Sequence, residues 1–222
     1  MKIKNSLIAF LLIILTLLTA CQSQKHIKTQ EVPHQTKFYQ GNHYRLAHAQ
    51  FLQQPNDGKI HITEFFLYGC PHCYSLEPKI KHWLSQQENI VFERIPAILG
   101  PTWVEMARFY YVAEYLGILE NIHTKFFEEI HNSGKQYYSE IAIRQYFLKN
   151  GVKESDYLKA YNSSQVKEKI NRARILSVQY GLRGVPVIIM NNHWKVAPFY
   201  VRNQQQVFAV LNYLISLETQ EK

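Results

Sequence analysis

The run FFLYGCPHCYSLEPK, residues 65–79, places two cysteines two residues apart where one hydrophobic period gives way to another. Upstream, KIHITEFFLY (59–68) alternates and then becomes apolar on both faces, the pattern of a central strand. Downstream, EPKIKHWLSQQ continues with helical spacing, and NIVFERIPAIL reads as the next strand. Cys70 and Cys73 therefore sit where a β-α-β unit turns from strand into helix.

The rest of the chain completes that unit. KFYQGNHYRLA puts aromatics around a Gly-Asn turn and is expected to form an edge strand or hairpin. After Pro101 the spacing changes to three and four residues. WVEMARFYYVAEYLG, ILENIHTKFFEEIHNSG, SEIAIRQYFLKNG and SSQVKEKINRARILSVQYG each stop near a glycine, as helices often do. They predict a helical block over about 101–180. VPVIIMNN and HWKVAP then read as two strands around an Asn191–Asn192 turn, and NQQQVFAVLNYLISLE as a closing helix. The order β-α-β, helical block, β-β-α predicts an α/β sandwich, with the helical block inserted into one domain.

The N-terminus reads as an address. Lys2 and Lys4 precede LIAFLLIILTLL, residues 7–18. As a helix this run rises about 18 Å, short of a ~30 Å hydrocarbon core, which fits a secretory signal over 1–20. LTAC, residues 18–21, matches a bacterial lipobox, so cleavage before Cys21 and acylation of that cysteine are expected. Residues 21–36 are polar and read as a tether, with the folded domain over 37–222. Of three cysteines in an exported chain, lipid on Cys21 leaves Cys70 and Cys73 as a pair. The formal net charge of +8 becomes +6 once Lys2 and Lys4 leave with the signal. No dense basic run appears, so a solvated basic surface is expected, and nucleic acid is not an expected partner.

Cys70 at a helix start, with Pro71 at the first helical position, meets free backbone N–H groups and the positive end of the helix dipole. His72, when protonated, adds a cation. All three favour the Cys70 thiolate over an ordinary thiol of pKa near 8.5. Cys73 shares the helix face and is within reach of a disulfide, and it is expected to lie buried beneath an exposed Cys70. Stabilising the thiolate makes the corresponding disulfide a stronger oxidant, by roughly 30 mV for each ~1.4 kcal/mol. A structural zinc needs four ligands, and neither a second Cys-x-x-Cys nor a close His pair is present. Apart from His72, the ten histidines read as surface residues. No metal is expected. A two-residue gap closes too small a loop to act as a staple. Redox exchange is the remaining use.

EFFLYGCPHCYSLEPKI and GVPVIIMNN together resemble the DsbA family of thiol:disulfide interchange proteins, within the thioredoxin superfamily, from about Phe38 to the last helix. The resemblance implies a thioredoxin-like fold with a helical insertion and a low-pKa, strongly oxidising cysteine pair. It makes Cys70 the nucleophile and Cys73 the resolving thiol. It also implies a cis Val185–Pro186 bond, with Val185 facing the client, and a buried Glu64 passing protons to the resolving thiol. No cofactor beyond the Cys70–Cys73 disulfide is implied. Expected partners are reduced exported proteins and a quinone-linked membrane reoxidant resembling DsbB, with the enzyme acting as a lipid-anchored periplasmic monomer.

Glu77 matches a second family acid, although an exposed helical glutamate is the simpler expectation. The family's usual lysine partner for these acids has no clear counterpart, and Glu93 or Arg94 falls near its place. Two other readings stand beside dithiol oxidation: an isomerase or reductase kept reduced by a membrane donor, and a redox-silent lipoprotein that binds exported chains.

Overall fold

In a computed structural model of the chain, the structure describes residues 38–47, 52–53 and 55–220. The expected signal, the tether and Cys21 lie outside them. A five-stranded sheet is built from β1 (Arg45–Leu46), β2 (Ile60–Phe66), β3 (Ile90–Pro96), β4 (Val187–Met190) and β5 (Trp194–Val196), in the order β1-β5-β4-β2-β3. Only β2 and β3 are parallel, and between them runs helix α1 (Pro71–Leu84). A parallel pair needs such a crossover, whereas β4 and β5 are joined by a tight turn. In that turn Asn191 and Asn192 have φ of 50° and 55°, the left-handed pair of a type I′ turn, which the His193 N–H closes by donating to the Met190 carbonyl. The Gly-Asn turn before β1 closes between Gln40 and Tyr44, and β1 is the short edge strand expected there.

The helical block runs from Pro101 to Gln179 and holds five α-helices: α2 (Val104–Tyr115), α3 (Leu119–Ser133), α4 (Glu140–Lys149), α5 (Glu154–Asn162) and α6 (Ser164–Gln179). The sequence spacing predicts four. The extra one, α5, is nine residues long and ends at Ser163. Ser163 at once accepts a hydrogen bond from the Val166 N–H as the N-cap of α6, so no glycine separates the two helices. α7 (Gln204–Gln220) closes the chain.

Two cores flank the sheet. Ile60, Ile62, Ile188 and Val196 pack with Leu76 and Ile80 of α1 and with Val207, Val210 and Leu214 of α7. On the other side Phe65, Val187, Ile189 and Ala197 join the aromatic-rich interior of the helical block. Register decides which side chains share a face. The row Glu64, Ile188, Val196 and Arg94 looks toward α1. The neighbouring row Thr63, Glu93, Ile189, Lys195 and Arg45 looks the other way.

Candidate active site

Strand β2 delivers the chain into α1, and Cys70 is the N-cap of that helix, with extended backbone and Pro71 at the first helical position. Cys73 lies one turn on and is 1% exposed, while Cys70 is half-buried and Pro71 and His72 are exposed. Both cysteines are free thiols. The Cys70 thiol is carried down to about 6, first by a hydrogen bond from the Cys73 thiol, against the opposing effect of burial. The backbone N–H groups of Cys73 and His72 and the charge of His72 add to the shift. Cys73 moves the other way, pushed well up by burial, by its hydrogen bond to Cys70 and by the nearby Cys70 and Glu64 charges. The pair is thus polarised into one ready thiolate and one thiol that resists ionisation.

Across from the pair, the Val185–Pro186 bond is cis. The Cys70 Sγ–H donates to the Val185 carbonyl at 3.5 Å, a long contact that nevertheless places main chain beside the reactive sulfur. The expected neighbours Val185 and Pro186 therefore meet Cys70 in space, 115 residues apart in sequence.

Beneath α1 lies a charged cluster that the sequence shows only in part. Glu64 is 2% exposed, and its burial raises its pKa to about 7, offset in part by Arg94 and reinforced by the Glu77 charge. Arg94 answers the missing-lysine question: its Nε donates to Glu64 at 3.1 Å and its Nη2 to Glu77 at 3.0 Å. Parallel pairing sets Arg94 directly beside Glu64, and Glu93 points to the opposite face, where it bridges Arg172 of α6 at 2.6 Å. Glu77 corrects an expectation, being 2% exposed rather than a solvated helical glutamate. Burial opposes its charge, but His123, Arg94 and Lys81 outweigh burial and bring it down to about 2.

His123 is a second correction. It is 5% exposed among Phe66, Tyr68, Tyr110 and Phe127 and is no surface residue. Its Nδ1 lies 2.6 Å from the Tyr68 hydroxyl and its Nε2 is 3.5 Å from Glu77. With Tyr68 donating to Nδ1, the ring proton sits on Nε2 and faces the Glu77 carboxylate. Burial lowers the His123 pKa against the pull of Glu77, so the ring is neutral. A signal was present in the sequence, since Ile122, Phe126 and Phe127 place position 123 on the apolar face of α3. No group of three or more His, Cys, Asp or Glu able to hold a metal is found among the described residues.

Residues 80–210 match the family model described as a DSBA-like thioredoxin domain, a match that begins within α1 just after the cysteines. The chain is 33% identical over 162 residues to the thiol:disulfide interchange protein DsbA of Azotobacter vinelandii, covering 72% of this chain and 76% of that one. It is 30% identical over 168 residues to the protein of the same name from Pseudomonas aeruginosa, covering 75% and 79%. The crystal structure of Pseudomonas aeruginosa DsbA superposes with a TM-score of 0.76 at 27% identity, covering 83% of this chain and 96% of that one. The Xylella fastidiosa oxidoreductase DsbA gives 0.72 at 26% identity, over 80% and 96%.

Proposed function

The chain belongs to the DsbA-like thioredoxin domain family and is a thiol:disulfide oxidoreductase, and from the polarised cysteine pair we propose that it donates its disulfide to newly exported proteins. A client thiolate attacks the Cys70 sulfur of the Cys70–Cys73 disulfide. A client–Cys70 bond forms, and the Cys70–Cys73 bond breaks with its electron pair going to Cys73. Cys73 holds a negative charge poorly, so it takes a proton. Glu64, near neutral pH still partly protonated, is close enough for its charge to be felt at Cys73. The client's second thiolate then attacks its own mixed disulfide, closing the client's bond and releasing Cys70 as the favoured thiolate. Two electrons pass from the client to the enzyme. Val185 offers main chain to an extended client at the reacting sulfur.

The observation that carries this direction is the place of Cys70 at the N-cap of α1, where the Cys73 thiol and the backbone N–H groups of Cys73 and His72 favour its thiolate and bring its pKa down to about 6. A group that prefers to be an anion gives up a disulfide readily, which suits an oxidase better than a reductase. Reoxidation by a quinone-linked membrane partner resembling DsbB, and residence in the periplasm on a lipid held by Cys21, complete the reading. They rest on the LTAC junction and on family membership. A Cys21→Ser chain should lose the incorporation of labelled palmitate seen in the parent chain, and equal labelling of the two would end the lipid anchor.

The deciding experiment is the equilibrium of Cys70–Cys73 with glutathione, together with thiol trapping in cells. A pair more oxidising than glutathione and mostly disulfide in cells is the expected result. A pair mostly reduced in cells would assign the chain to the reductase or isomerase class. Cys70→Ser should reduce oxidation of a reduced model client to the uncatalysed rate, and full activity in that variant would overturn the proposal.

A further inference from the structure

On the sheet face opposite α1, antiparallel register places Arg45 of β1 directly across from Lys195 of β5. Two like charges set side by side on one face destabilise a sheet. Arg183, in the loop that leads to Val185, is close enough to act electrostatically on Lys195 as well. Lys195 is 8% exposed, and its Nζ donates to the Tyr180 carbonyl at 3.0 Å. Arg45 lies over the Tyr200 ring, 4.4 Å from its centroid. None of the three cations has a carboxylate within ion-pair distance among the described residues. Burial and the two arginines together lower the Lys195 pKa, the mark of positive charge without an answering anion.

These groups share a cavity of about 460 Å³, which Phe199, Tyr200 and Val187 also line. The volume lies within the range of real ligand sites, and the lining joins cations to apolar and aromatic surface. Phe199 is 60% exposed at its rim. An anion carried on a partly apolar chain would satisfy both halves of the lining.

The position of the cavity identifies the anion. Arg183 is two residues before Val185, whose carbonyl meets Cys70. An extended client lying along this segment advances roughly 6.6 Å over two residues. A client side chain two positions from its reacting cysteine would therefore come opposite Arg183. We infer that the Arg45–Arg183–Lys195 cavity is a subsite for an acidic side chain of the client, giving preference to exported chains with a glutamate or aspartate two residues from the cysteine. The inference rests on the reading that Cys70 exchanges with client thiols.

The test uses the full chain carrying Cys73→Ser, with glutathione in mixed disulfide on Cys70. Three peptides, each with one cysteine, compete for that bond. One has glutamate two residues before the cysteine, one has glutamate two residues after, and one has glutamine at both positions. In each exchange the peptide thiolate attacks the Cys70 sulfur, the peptide–Cys70 bond forms, and glutathione leaves as its thiolate. The amount of peptide on Cys70 is read by mass spectrometry. One glutamate peptide should be held about fivefold better than the glutamine peptide at low ionic strength, with the advantage shrinking as salt screens it.

In an Arg183→Glu chain, where Arg45 and Lys195 still outweigh the new carboxylate, the glutamate advantage should fall below twofold, and Arg183→Lys should restore it. A purely structural role for Arg183 would move all three peptides alike. Both glutamate peptides within twofold of the glutamine peptide would overturn the subsite and leave the exchange chemistry standing. Failure of every peptide to displace glutathione would overturn both.

Discussion

Two charged clusters on opposite faces of one sheet are built in opposite ways. Toward α1, Glu64 and Glu77 share the guanidinium of Arg94, with Lys81 and His123 at the margin, so that buried charge is answered within the protein. On the other face Arg45 and Lys195 stand side by side, with Arg183 near them and no acid in reach among the described residues. A balanced cluster needs no counter-charge from outside, whereas an unbalanced one is completed by something that arrives. The contrast teaches that charge count alone is a poor guide to function. What matters is whether each charge has an answer within about 4 Å.

The sharpest way to break the contrast is to remove the central cation of the balanced face. Arg94→Met leaves two buried carboxylates without their shared partner and should destabilise the protein by about 3–5 kcal/mol in urea unfolding. A loss under 1 kcal/mol would mean that the cluster is not electrostatically closed.

Next in size is Glu64→Gln. The folded pKa of Glu64, about 7, lies above its unfolded value. Its contribution is therefore fully present below the unfolded pKa near 4.5 and is lost as pH rises through 7. Replacing it should stabilise the chain by about 1–3 kcal/mol at pH 8 and change little at pH 4. If Glu64 moves protons, the same variant should also flatten the pH dependence of client oxidation between 5 and 8.

His123→Leu removes a neutral ring that steadies the Glu77 charge and should cost about 1–2 kcal/mol. It should also raise the Glu77 pKa, which carbon-13 NMR of that carboxyl would read.

The smallest effect belongs to the unbalanced face. Lys195→Met relieves repulsion but gives up one hydrogen bond, and stability should change by less than about 1 kcal/mol. A loss as large as that of Arg94→Met would show the two faces to be alike after all.

Much of this layout was legible in the sequence. The change of period at Cys70, Pro71 at the helix start and the Asn191–Asn192 turn are local signals, and the structure forms them where those signals stand. What was not legible depends on register and packing. Whether Glu93 or Arg94 meets Glu64 turns on a one-residue choice in parallel pairing, which flips every side chain to the other face. The burial of Glu77 and His123 follows from α3 packing over α1, a contact with no local trace beyond the apolar neighbours of His123. The Arg45–Lys195 pair joins residues 150 positions apart and is set only when β1 docks on β5. Helix α5 escaped because the stop signal used for its neighbours was glycine, and it ends on serine.

The two hydrogen bonds of Arg94 also have a mechanical meaning, since one goes to the sheet and the other to the cysteine helix. The guanidinium is a brace between them, meeting the helix at Glu77, one turn beyond Cys73. When Glu64 accepts a proton, the sheet end of that brace loses its ionic grip while the helix end keeps its own. Titrating Glu64 through pH 7 therefore loosens the seating of the helix from the sheet side alone.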